Sequence, residues 1–240
     1  MLPEPDFVII GGVAALVGAI VQSSVGLGVG LVATPIVTLL FPSLMPGSIL
    51  IAATVVPLLT LSRELRHADL RGLGWAFLGR VAGTPLGVWV VAAVSTQVLG
   101  AVVGLVVLAA LAASAWSTQV PRNPVTLTAA GMVAGATGTA TAIGGPPIAL
   151  LYHRESGPRV RATLAVFFVV GALLSVLTLA VTGELPVVQV TAGLVLTPFV
   201  AAGFWLSGPL RRYLDAGRMR VAVLVVVGAS ALTLIGRSLL

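Results

Sequence analysis

The chain has 240 residues, of which 58% are hydrophobic and 8% charged, with a mean hydropathy of +1.13. A soluble domain carries about 25% charged residues, so a water-soluble enzyme or binding module is excluded and an all-α polytopic membrane protein is indicated. There is no cysteine, which excludes disulfides, thiolate metal sites and cysteine nucleophiles together. The net charge of +6 rests on 13 basic residues, every one an arginine; in a membrane protein these report topology rather than nucleic-acid binding.

Residues 1–6 are acidic (Glu4, Asp6) and lack the basic start of a cleavable signal peptide, so residue 7 onward is expected to be a retained membrane segment. Residues 7–41 carry no charge and would make a helix of about 52 Å, longer than a hydrocarbon core of about 30 Å. The breakers near its middle, Gln22-Ser-Ser-Val-Gly-Leu-Gly-Val-Gly30, predict a broken helical hairpin instead. Spans over 48–62, 73–94 and 98–116 follow, then a linker over 117–124.

Residues 125–152 repeat the problem at about 42 Å, with the break Gly135-Ala-Thr-Gly-Thr-Ala-Thr-Ala-Ile-Gly-Gly-Pro-Pro147. Further spans run over 162–182, 187–206 and 221–236. Arginines fall after Ser62 (Arg63, Arg66, Arg71), at Arg122, after Tyr152 (Arg154, Arg159, Arg161) and after Leu210 (Arg211, Arg212, Arg218, Arg220). The connections 42–46, 95–97 and 183–186 have none. Basic loops lie inside, so 125–152 must enter and return, the N-terminus is periplasmic, and the arginine-rich loops are cytoplasmic.

A shift of 112 residues sets Ala19-Ile-Val-Gln-Ser-Ser-Val-Gly26 on Gly131-Met-Val-Ala-Gly-Ala-Thr-Gly138, and Thr34-Pro35-Ile36 on Pro146-Pro147-Ile148. Matched loops carry opposite arginine bias. The expected fold is therefore two inverted-topology repeats, 1–116 and 125–240, each a broken helical hairpin plus three transmembrane helices in one integrated domain.

Non-helical backbone in lipid survives only where protein or a water-filled cavity satisfies it. Helix N-termini at the two breaks expose amides that suit an anion. Candidate substrate-binding residues at the first break are Gln22, Ser23, Ser24, Gly26, Gly28, Gly30, Thr34 and Pro35. At the second they are Thr137, Gly138, Thr139, Thr141, Gly144, Gly145, Pro146 and Pro147. Each small residue also has a plainer reading, close helix packing. Arg80, the one ionised residue deep in a span, either attracts an anion or snorkels to the cytoplasmic face.

No Asp or Glu falls inside a predicted span, which removes carboxylate proton relays and carboxylate Na⁺ sites. His67 and His153 sit in arginine-rich loops without a buried nucleophile or metal-ligand partner, and no hydrolase, zinc-protease or Walker pattern occurs. Catalytic residues, metals and cofactors are therefore expected to be none.

Gly26-Leu-Gly-Val-Gly30 with Thr34-Pro35-Ile36, and Gly138 leading to Gly144-Gly-Pro-Pro-Ile148, in two related halves, resemble the sulfite exporter TauE/SafE family, also called the 4-toluene sulfonate uptake permease family. The resemblance covers essentially the whole chain. It implies a secondary transporter of small sulfur-containing or carboxylated anions, such as sulfite or organosulfonates, with the site on the glycines, prolines and hydroxyls named above. An inner-membrane exporter binding at the midplane is the expectation; a passive anion channel and a non-transporting membrane assembly or scaffold protein are the alternatives. Expected partners are a small anion and the lipid bilayer and no nucleic acid, with homo-oligomerisation left open.

Overall fold

Proline and glycine punctuate the chain where helices begin and end. In the computed structural model, which describes residues 3–115, 120–213, 225 and 227–236, α1 (Pro5–Val25) opens with Pro5 and Asp6 in its first turn. The missing proline N–H is harmless there, and the carboxylate meets the positive helix end. Gly26 closes α1 at φ 92°, and its amide donates to the Gln22 carbonyl at 2.7 Å. α2 (Val29–Leu40) then turns back along α1.

After a 3-10 turn (Pro42–Leu44) come α3 (Gly47–Ala52) and α4 (Val55–Glu64). Pro57 has no N–H for the Ala53 carbonyl, and the predicted single span over 48–62 is interrupted at Ala53 and Thr54. With the 3-10 turn that follows, the two helices still form one apolar stretch, Gly47–His67, of membrane-crossing length. α5 (Leu70–Ala93) is capped by Asp69, whose carboxylate accepts from the Gly72 amide at 3.1 Å. α6 (Thr96–Ala115) completes the first half.

α7 (Pro124–Thr141) begins with a reciprocal cap: Asn123 Oδ1 accepts from Thr126 N at 2.9 Å, and Thr126 Oγ1 from Asn123 N at 3.0 Å. α8 (Pro146–Tyr152), α9 (Gly157–Val181), α10 (Val187–Tyr213) and α11 (Val227–Gly236) follow. The predicted span over 187–206 matches the apolar stretch Val187–Gly208 of α10, and the helix continues past it through 211 and 212, where the sequence predicts a loop from 207. Residues 116–119, 214–220, 221–224 and 226 lie outside the described residues. Five helical stretches among those described are long and apolar enough to cross a membrane, which makes this a multi-pass membrane protein.

Both breaks are narrower than expected, at 26–28 and 142–145, because Gly135 to Thr141 keep helical geometry as part of α7. Each hairpin returns to its start. The rings of Phe7 and Phe41 meet edge-on at 5.4 Å, and Arg122, just before α7, stacks over Tyr152 at 4.9 Å.

Helix packing is set by glycine. Gly79, Gly83 and Gly87 recur every fourth residue on α5, and Gly131 and Gly135 do so on α7. A Cβ at Gly79, Gly83 or Gly131 would overlap the carbonyl oxygen of Thr128, Met132 or Ala76, and one at Gly87 would stand 2.5 Å from that of Ala136. Such contact lets the two backbones touch, the usual route to membrane helix association. α1 packs on α10 more loosely, with Gly203 against the Leu16 carbonyl but Gly12 under the Phe199 ring. α4 lies against α9.

The seam predicts a graded response along one helix. Gly83→Ala forces the α5 and α7 backbones apart and should cost about 1–3 kcal/mol, as overpacking does. Gly74→Ala, with no atom within 4 Å of its new methyl, should be neutral or stabilising by about 0.4–1 kcal/mol. Thermal unfolding of the two variants in detergent, followed by circular dichroism, checks the order.

Candidate functional site

Arg80 lies near the middle of α5 and is 3% exposed. It does not snorkel. Its Nη1 donates to the Ala134 carbonyl at 3.1 Å, and its Nη2 to the Gly171 carbonyl at 2.9 Å and to Ser175 Oγ at 3.1 Å. Ser175 Oγ in turn shares a 2.7 Å hydrogen bond with Thr139 Oγ1, and the Phe167 ring centroid lies 5.1 Å from Arg80 Cζ. Nε has no partner. Among the described residues every group that solvates this cation is neutral, so no ion pair cancels its charge inside the bundle, where a low dielectric amplifies it.

The guanidinium fits only because three neighbours lack side chains. A Cβ at Gly138 would stand 3.0 Å from Nη1, one at Gly144 would stand 2.9 Å from it, and one at Gly171 would overlap Nε. Glycines of α7, of the second break and of α9 thus make the socket.

The two breaks meet beside it. Gly30, in the first turn of α2, is pressed against the Ala142 carbonyl so closely that a Cβ would overlap the oxygen. Gly28 presses likewise on the Gly18 carbonyl of α1, and the buried Gln22 side chain reaches back to accept from the Val29 amide at 2.9 Å. The amides of Gly30 and Leu31 belong to a first helical turn, which has no carbonyl partner within its own helix. At α8 the expected amides are scarce: Pro146 and Pro147 occupy its first two positions and carry no N–H.

Between the breaks, α5 and α9 lies a cavity of about 50 Å³, room for a small oxyanion or a few waters, since one water needs about 10–15 Å³. Of the predicted residues Gln22, Gly28, Gly30, Arg80, Gly138, Gly144, Gly145 and Pro146 line it. The others stand outside. Ser23 and Ser24 donate to carbonyls of α1, at Ala19 and Ile20. Thr137 and Thr141 donate to carbonyls of α7, at Val133 and Thr137, and Thr139 reaches Arg80 only through Ser175. Gly26 caps α1, Thr34 is fully buried with an unbonded Oγ1, Pro35 is inside α2, and Pro147 is in the first turn of α8.

Sequence reasoning missed Gly171 and Ser175 of α9, Phe168 and Ala172 beside them, and Leu27, Leu31 and Ile143 on the cavity wall. The fourfold spacing of Gly171 and Ser175 was a signal of a small-residue face, but nothing adjacent in sequence links it to Arg80. No carboxylate is among the lining residues.

At the arginine-rich end an ionic collar ties the second hairpin to α5 and α9. Arg122 Nη1 pairs with Glu155 at 2.6 Å, Tyr152 donates to Asp69 at 2.9 Å, the Asp69 amide donates to Thr163 Oγ1 at 3.0 Å, and Arg159 lies 3.9 Å from Asp69. Partial burial pushes the Asp69 carboxyl up. The Gly72 amide, the Tyr152 hydroxyl, Arg159 and Arg122 outweigh it and hold the pKa below the ordinary 3.8. A depressed carboxylate stabilises the fold above its unfolded pKa and loses that contribution as pH falls through the folded one. Wild type should therefore lose stability as pH drops below about 4, and Asp69→Asn should be less stable at neutral pH with a flatter acid limb, read as unfolding temperature against pH.

A family model described as Sulfite exporter TauE/SafE matches residues 10–234. Comparisons with curated proteins and with solved structures return no match.

Proposed function

Since the chain belongs to the sulfite exporter TauE/SafE family, whose members are membrane transporters and not enzymes, we propose that it is an inner-membrane secondary transporter that exports a small oxyanion held beside Arg80. Sulfite, an organosulfonate or a related sulfur-containing or carboxylated anion has the charge and size. The observation that carries this reading is an unneutralised guanidinium on the wall of a cavity where two helix breaks meet. The anion supplies the charge that the protein withholds, and the Gly30 and Leu31 amides add donors at the positive end of α2.

Export needs no coupling ion. A cell negative inside drives an anion outward by about 2.3 kcal/mol per charge per 100 mV, and the cavity has no carboxylate to carry a proton or Na⁺. Inverted repeats over 1–116 and 125–240 are supported by the packing: α1 on α10 and α5 on α7 are equivalent pairs when the halves are exchanged, and α4 on α9 pairs with itself. Arg80 stands outside that symmetry, since Leu196 holds its position in the second half and is fully buried. Displacement of the first break from the second, where Gly30 rests on the Ala142 carbonyl, would expose the site alternately to each face.

Liposomes containing the protein should release labelled sulfite or an alkylsulfonate faster than protein-free ones, with saturation. Arg80→Gln should cut that flux at least tenfold while the unfolding temperature changes little, and unchanged flux would remove Arg80 from the site. For topology, cysteines introduced as Ser43→Cys and Ser156→Cys should react with an impermeant thiol reagent from opposite faces; same-face labelling overturns the inverted arrangement.

A further inference from the structure

A second, larger cavity of about 230 Å³ opens between the C-terminal ends of α1, α4 and α10 and the start of α9. Two arginines face it. Arg161 forks onto Glu64, Nε to Oε2 at 3.0 Å and Nη2 to Oε1 at 2.6 Å, which closes α9 onto α4. Arg63 has no carboxylate partner among the described residues; its guanidinium lies over Phe204 at 5.2 Å and Trp205 at 4.9 Å. Stacking on aromatic faces fixes the plane of a guanidinium while leaving its edge donors available. Ser23, Thr60 and Ser207 make the rest of the wall polar without adding charge.

This cavity adjoins the first one through consecutive residues. Gln22 lines the inner cavity and Ser23 the outer one. The first break packs against the start of α9 here: a Cβ on Gly26 would stand 3.1 Å from Leu164 and 3.6 Å from Cα of Arg161. The residue that fastens α9 to Glu64 is thus also the residue that backs the break.

Resting on the transport reading, we propose that the outer cavity is a second anion site, a vestibule on the arginine-rich face in which Arg63 and Arg161 take up the oxyanion on its way to Arg80. Its ligand class is the same small sulfur oxyanion or sulfonate headgroup. Arg63 supplies a positioned charge with no carboxylate partner among the described residues. Arg161 becomes available as the anion displaces the Glu64 carboxylate, so that loading the vestibule loosens the α4–α9 contact that covers the break.

The test is sulfite flux measured separately from each face, in vesicles of zwitterionic lipid and known orientation so that anionic headgroups do not compete. Arg63→Gln should raise KM severalfold from the arginine-rich face only, with maximal flux within about twofold of wild type, and Arg63→Lys should fall between the two. Glu64→Gln should lower KM from that face by releasing Arg161. Equal KM values from both faces for Arg63→Gln and wild type, or an equal rise from both faces, overturn the vestibule. Should Arg63→Gln not assemble, Arg63→Lys and Glu64→Gln decide in the same way: unchanged KM in both overturns it. Absence of sulfite flux in wild type instead strikes the transport reading itself, so the two failures are told apart.

Discussion

A guanidinium charge buried within a membrane bundle is the constraint around which the rest is arranged. A charged side chain at the bilayer centre costs at least about 2.5–3.5 kcal/mol, and Arg80 meets that with carbonyls from two other helices and a hydroxyl, none of them ionised. Neutral acceptors satisfy hydrogens without cancelling charge. A carboxylate partner would have cancelled the charge that the proposed function assigns to an incoming anion. Carbonyl solvation keeps the cation both tolerable and attractive.

The glycines follow from that constraint. Close contact of α5 with α7 brings Arg80 within reach of the Ala134 carbonyl, and the missing side chains at 138, 144 and 171 leave the volume its planar head occupies. Two separate demands, packing and socket, are thus met by one residue type along α7. The chain reverses tightly over 142–145, where Ala142 takes the left-handed conformation at φ 59°, and Gly144 and Gly145 within the turn leave room for Arg80 and for Leu27 and Phe168. The ionic collar around Asp69 then fastens the returned end.

Much of this architecture was legible in the sequence, because hydropathy, arginine placement and helix breakers act locally. The arginine count required residues 125–152 to turn back, and Arg122 stacked on Tyr152 is the contact that results. Seven of the residues named at the breaks, and Arg80 with them, line one cavity. What failed to show was of two kinds. Hydroxyls counted as donors, Thr137 and Thr141 above all, are consumed by carbonyls one turn back, a bond any helical threonine can make. Gly171 and Ser175 were hidden because their importance comes from α9 crossing α5, a long-range fact that no local pattern encodes. The interruption at Ala53, by contrast, follows from a local feature, the missing N–H of Pro57.

One consequence of the glycine seam concerns which parts of the bundle can be levers. Helices whose backbones touch without intervening side chains have no rotamers to rearrange and so no soft layer in which to slide. Arg80 on α5, the Ala134 carbonyl and Gly138 on α7, and the second break beyond them form one closely packed block that holds the charge in place. The opposing surface is the start of α2, which meets that block where Gly30 rests on the Ala142 carbonyl. On the proposed transport reading, motion between the two would be concentrated in a joint one glycine wide, and the size of that residue would set how closely the two breaks can meet.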